Sequence, residues 1–166
     1  RHGSGRGARQ AELPANEAVE AAVREHIAIF CADTQPAELA ALRQVALAWM
    51  RRFADFRPHV GGAVWRGTAT RLNAVHIDLY CDDPKSAPIA LLNSGVDHDV
   101  DSLGVGAEPT TVLTLAAPCP ALGERVTVHL MVRDADDLRG ALKPDSRGQS
   151  WRGDTQALRR LLQGPD

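Results

Sequence analysis

No run of about 18 or more consecutive apolar residues occurs in this sequence, so a membrane-spanning helix is not expected. Its start, Arg1-His2-Gly3-Ser4-Gly5-Arg6-Gly7, has no secretory signal pattern. Cysteine is scarce: Cys31, Cys81 and Cys119 are odd in number, far apart and form no CxxC pair. A reducing cytoplasm and no zinc site are the corresponding expectation. Neither charge sign dominates, since 19 Lys and Arg stand against 21 Asp and Glu for a formal net charge of -2. Whole-molecule attraction to nucleic acid or to an anionic membrane is thereby excluded, and any such binding needs a local patch. Lysine is rare too, Lys85 being the only one before position 100, so the positive groups are nearly all guanidinium, the type suited to bidentate contact with phosphate or carboxylate. The phosphate loop GxxxxGK[ST], a GxGxxG turn after a strand, the GxSxG elbow and HExxH are all missing, which sets aside four enzyme classes. The chain does not begin with Met, which points to a trimmed piece of a longer protein.

What is present is 166 residues and 17.8 kDa, with 44% hydrophobic and 24% charged residues, enough for one globular core. Residues 1–12 are rich in Gly and Arg without periodicity and read as a flexible basic arm. Residues 13–57 read as a helical hairpin. Asn16 can cap a first helix with Val19, Val23, Ile27 and Phe30 at helical spacing. Thr34 and Pro36 open a second helix, whose stripe Leu39, Leu42, Ala46, Trp49, Phe53 and Phe56 steps by three and four. From 58 to 166 the pattern is a mixed α/β core. Strands are expected at 59–64, 75–80, 96–100, 111–116 and 126–132, with helices at 84–93 and 155–162. The fold class is therefore α/β (α+β), a helical hairpin packed on a mixed sheet of four to five strands within one compact unit.

The most informative stretch runs from Phe56-Arg57-Pro58-His59 through Gly61-Gly62 and Arg66-Gly67 to Asn73-Ala74-Val75-His76-Ile77-Asp78. A glycine pair at a strand end frees backbone N–H groups, an Arg-Gly step follows, and then comes a strand with alternating polar residues. This resembles the nucleotidyltransferase superfamily that includes DNA polymerase beta and the aminoglycoside nucleotidyltransferases. There the pattern is Gly-Gly or Gly-Ser, an Arg-Gly turn, then Ser-Asp-hydrophobic-Asp. The resemblance covers about residues 56–83, and the order of later elements extends it to about 133. It implies a nucleotidyltransferase-like sheet with three acids holding two Mg²⁺ ions. Aligning Arg66-Gly67 with the family's turn puts Ala74 and His76 on the first two acid positions, and Thr127 or His129 near the third. In that register none of the three acids is present; shifting it by two residues brings in Asp78. The segments Gly67-Thr68-Ala69-Thr70-Arg71-Leu72 and Cys81-Asp82-Asp83-Pro84-Lys85 also resemble small proteobacterial proteins labelled UDP-N-acetylmuramate:alanine ligase. A ligase of that kind needs a phosphate loop and three domains, which this sequence does not contain.

Two constellations remain. His76 and Asp78 share a strand face, and His129 faces outward from another alternating strand. If those strands are neighbours, the three make a two-His, one-carboxylate arrangement; otherwise they are polar residues on a solvated face. Asp97, Asp99, Asp101 and Glu108 have calcium-loop spacing, but Ser102 stands where that loop needs Gly and Pro109 blocks the exit helix. An acidic edge strand explains them better.

The expectation for function is a degenerate nucleotidyltransferase-like domain without transferase activity. It would bind a nucleotide, nucleic acid or protein through Gly61, Gly62, Arg66 and Arg71. The alternatives are an active nucleotidyltransferase using His76, Asp78 and His129 as catalytic residues, and a protein-interaction module. No metal or cofactor is expected, Mg²⁺ entering only if the domain is active, and no membrane partner.

Overall fold

The structure is a computed structural model that describes residues 12–104 and 109–164. Two helices come first, α1 (Glu12–Phe30) and α2 (Gln35–Arg52), followed by a 3-10 turn at Ala54–Phe56; a second 3-10 turn lies at Ala135–Asp137. The mixed sheet contains six strands: β1 (His59–Gly61), β2 (Val75–Cys81), β3 (Asp99–Leu103), β4 (Thr110–Cys119), β5 (Glu124–Asp134) and β6 (Arg152–Asp154). Between them lie α3 (Gly62–Arg66), α4 (Ser86–Asn93) and α5 (Leu138–Ala141), and α6 (Thr155–Gln163) closes the chain. The strands are ordered β3-β4-β5-β2-β1-β6, with β2 and β5 parallel and every other neighbouring pair antiparallel.

Strand alternation divides the sheet into two unlike faces. Val60, Val75, Ile77, Leu79, Leu113, Leu115, Val128 and Leu130 point to one side and form the core with Leu42, Ala46, Trp49, Met50 and Phe53 of the α2 segment. Leu158 of α6 and Leu91 of α4 join the same cluster. The opposite face carries His59, His76, Asp78, Thr114, His129, Arg133 and Arg152.

The stripe expected on α2 is the one found: Pro36 lies in its first turn, Glu38 there and Arg51 and Arg52 in the last turn suit the helix dipole, and Leu42, Ala46 and Trp49 are buried. Thr34 occupies the cap position without making a side-chain cap hydrogen bond. α6 begins where the Asp154 side chain accepts a hydrogen bond from the Ala157 N–H at 2.9 Å.

Other expectations shift. The stretch expected as a strand over 59–64 ends at Gly61, and Gly62, at φ 66°, turns it into α3. The strand expected at 96–100 is displaced to Asp99–Leu103 and forms a sheet edge. β6 and α5 have no counterpart in the sequence reading, because three residues and four are too short to show a period. On α1 the expected apolar stripe turns outward: Ile27 is buried, but Val19, Val23 and Phe30 are exposed. The basic arm falls outside the described residues except for Glu12, where α1 begins. Among the described residues, no helix is long and apolar enough to cross a membrane.

Candidate functional site

The polar face of the sheet has a gap in it, and glycine makes the gap. Gly61 is the β1 neighbour of His76 on one side and of Arg152 of β6 on the other. With no side chain between these two, a cleft of about 340 Å³ opens, lined by Gly61, Gly62, His76, Asp78, Met131, Arg133, Trp151 and Arg152. A Cβ on Gly62 would meet the His76 ring at 3.4 Å, near ordinary contact, so it is the positive φ of 66° that favours glycine beside that imidazole.

His76 and His129 are register partners on the parallel strands β2 and β5, with ring centroids 5.1 Å apart and planes inclined by 27°. Thr114, the partner of His129 on β4, brings its Oγ1 to 2.8 Å from His129 Nδ1 and so orients that ring. His76 is exposed on the sheet surface, yet desolvation by the groups crowded around its ring, and then the adjacent His129, lower its pKa from the ordinary value, with Asp78 opposing.

Asp78 is the carboxylate of this face, and it is buried. Arg152 Nε donates to its Oδ2 at 2.6 Å, and Arg133 Nε stands 3.1 Å from its Oδ1. The Arg133 approach is within ion-pair range but off line, leaving this buried Nε with no hydrogen-bond partner among the described residues. Tyr80 O–H lies 3.4 Å from Asp78 Oδ2. Burial first, and the neighbouring Asp78 second, push the Tyr80 phenol up to about 12. Two guanidinium groups on one carboxylate leave the cleft with one surplus positive charge.

Of the expected site residues, the structure brings Gly61, Gly62, His76, Asp78 and His129 to one face and places Arg66 and Arg71 elsewhere. Arg66 is nearly buried and fully occupied. It pairs with Glu20 at 2.8 Å and Asp145 at 2.7 Å, donates to Ser150 O, and lies with its guanidinium carbon 3.9 Å from the Trp151 ring centroid. Arg71 pairs with Glu124 at 2.8 Å near the start of β5. The cations beside the glycine pair are instead Arg133 and Arg152. Arg133 was accessible to sequence reasoning, because it continues the alternation Thr127, His129, Met131 on β5. Arg152 carried no such signal, since β6 is three residues long.

The strand order makes His76 and His129 neighbours, as the two-His, one-carboxylate arrangement requires. Asp78, however, directs both oxygens to arginine, and among the described residues no group of three His, Cys, Asp or Glu side chains is placed to hold a metal ion. The two Mg²⁺ ions that the family resemblance implies need several oxygen ligands each. In one register the acid positions are Ala74, His76 and Thr127 or His129; a shift by two brings in Asp78 beside His76. Neither set fits a pair of magnesium ions.

Asp99 and Asp101 lie on the exposed edge strand β3, and Glu108 lies outside the described residues. A second cleft, about 630 Å³, separates α1 from residues 144–151. Its acids are engaged, Glu17 with Ser146 and Asp145 with Arg66. Comparison with models of known families, with curated proteins and with solved structures found no match.

Proposed function

We propose that this chain is a nucleotidyltransferase-like domain that binds a nucleotide in the Gly61-Gly62 cleft without carrying out metal-dependent transfer. The observation that carries the reading is the engagement of Asp78 by Arg133 and Arg152, with histidines at the neighbouring positions. Transfer of a nucleotidyl group depends on metal-bound acids that neutralise the triphosphate and activate the attacking hydroxyl. Here the same surface offers guanidinium groups and imidazoles, which recognise phosphate directly. The order of elements supports the reading as well: a strand ending in two glycines, a short helix, then a polar strand lying beside the strand of His129.

Isothermal titration with a non-hydrolysable nucleoside triphosphate, in Mg²⁺ and in EDTA, tests it. Binding of similar strength in both buffers is the expected result. Binding that appears only with Mg²⁺, or turnover of a hydrolysable triphosphate, would overturn it in favour of an active transferase. Silence in both buffers would overturn it in favour of a protein-interaction role.

A further inference from the structure

We infer that the outer edges of the Arg133 and Arg152 guanidinium groups form a seat for a phosphomonoester, the terminal phosphate by which the nucleotide of the preceding section is anchored. The inference rests on that reading for the rest of the ligand, but its own ground is the allocation of donors around Asp78. That carboxylate takes the Nε side of both arginines. Arg152 spends Nη1 on the Ala141 carbonyl at 3.0 Å, and among the described residues its Nη2 has no hydrogen-bond partner. Arg133 has only the Met131 sulfur, 3.7 Å from Nη2, and its Nη1 has no partner there. The Arg133 side chain is 30% exposed although its Nε is buried, so the accessible part lies farther out along the group.

Three nitrogens thus keep a hydrogen for a ligand: Nη1 of Arg133 and the second hydrogen of its Nη2, which can form a bidentate fork, and Nη2 of Arg152. A phosphomonoester presents three terminal oxygens as acceptors, whereas a phosphodiester presents two. The surplus positive charge of the cleft favours an anion, and the bare Gly61-Gly62 floor leaves room for it. Asp78 is a positioning residue here: it fixes both guanidinium planes through their Nε atoms and does not touch the ligand.

Titration of the unmodified protein with adenosine 5′-monophosphate, adenosine, adenosine 3′,5′-cyclic monophosphate and inorganic phosphate tests the seat. The monophosphate should bind at least roughly tenfold more tightly than adenosine or the cyclic diester, and inorganic phosphate should compete with it. Arg133→Lys keeps the charge but removes the fork; it should lose roughly tenfold in affinity for the monophosphate and leave adenosine unchanged, with the melting curve checked for both proteins. Equal binding of the monophosphate, adenosine and the cyclic diester, or an Arg133→Lys variant that binds the monophosphate like the parent, would overturn the seat while leaving nucleotide binding intact. Binding of none of them would remove both.

Discussion

His76 shows how a single side chain on this face couples charge to folding. Though exposed, its ring is crowded by neighbouring groups and faced by His129, which lower its pKa from the ordinary 6.5, so the folded protein disfavours the imidazolium more than the unfolded chain does. Above 6.5 the ring is neutral in both states and the folded one carries no penalty. As pH falls through 6.5 towards the lower folded value, the unfolded chain binds the proton first, and stability declines across that window. Thermal melts between pH 7.5 and 5.5 should therefore show a falling midpoint, and His76→Gln should flatten the fall. A variant as steep as the parent would assign the dependence to another group. The same residue shows what a sequence can reveal about a site. The alternation that put His76 and Asp78 on one face, and His129 on another strand, follows from the two-residue period of extended chain and is found as expected. That Asp78 would be held by arginines could not be read, because one of them reaches it from β6, far along the chain.

Among the elements, α1 is attached in an unusual way. Val19, Val23, Ile29 and Phe30 face solvent, while Glu20 reaches inward to Arg66 and Glu17 to Ser146. Arg24 adds a bond from its Nη2 to the Arg66 carbonyl. The helix is held by a polar clasp around the nearly buried Arg66, with Ile27 as its buried apolar contact. Glu20→Ala should loosen α1 alone. Loss of one charge-assisted contact, about 1.5 kcal/mol, corresponds to roughly tenfold faster amide exchange in α1, with β2 and β5 unchanged. Hydrogen exchange followed by mass spectrometry reads this directly, and uniform acceleration through the sheet would contradict it. Helical periodicity found this helix, which begins at Glu12 and so places Asn16 inside it instead of at its cap, but could not orient it, since the pattern Val19, Val23, Ile27, Phe30 is the same whether it faces a core or water. The long elements, α2, β4 and β5, were the most legible because their periods repeat several times. The short ones, α3, α5 and β6, depend on contacts from distant parts of the chain.

For the molecule as a whole, acidic groups gather at one rim, while the paired cations meet at Asp78 from central β5 and from β6 at the opposite edge. Asp99 and Asp101 lie on the outermost strand β3, next to Asp97 and His98 in a shallow cleft beside Thr114. A strand edge lined with carboxylates resists pairing with other strands. Calcium at millimolar concentration should leave the melting temperature unchanged, because an ion that recognised only the folded state would raise it. A rise of several degrees in a scanning fluorimetry assay would restore the calcium loop. The strand order also has a consequence for synthesis. β1 lies in the first half of the sequence, yet one of its two edges is covered by β6, which follows every other strand of the sheet. Until then a nascent chain carries Asp78 without Arg152, an open backbone edge along His59–Gly61, and a Trp65 indole lacking both Gly153 to lie against and the Ser150 carbonyl to receive its N–H. The cleft is thus completed only when Arg152–Asp154 have emerged, and this late strand acts as the keystone of a site whose other stones were laid much earlier.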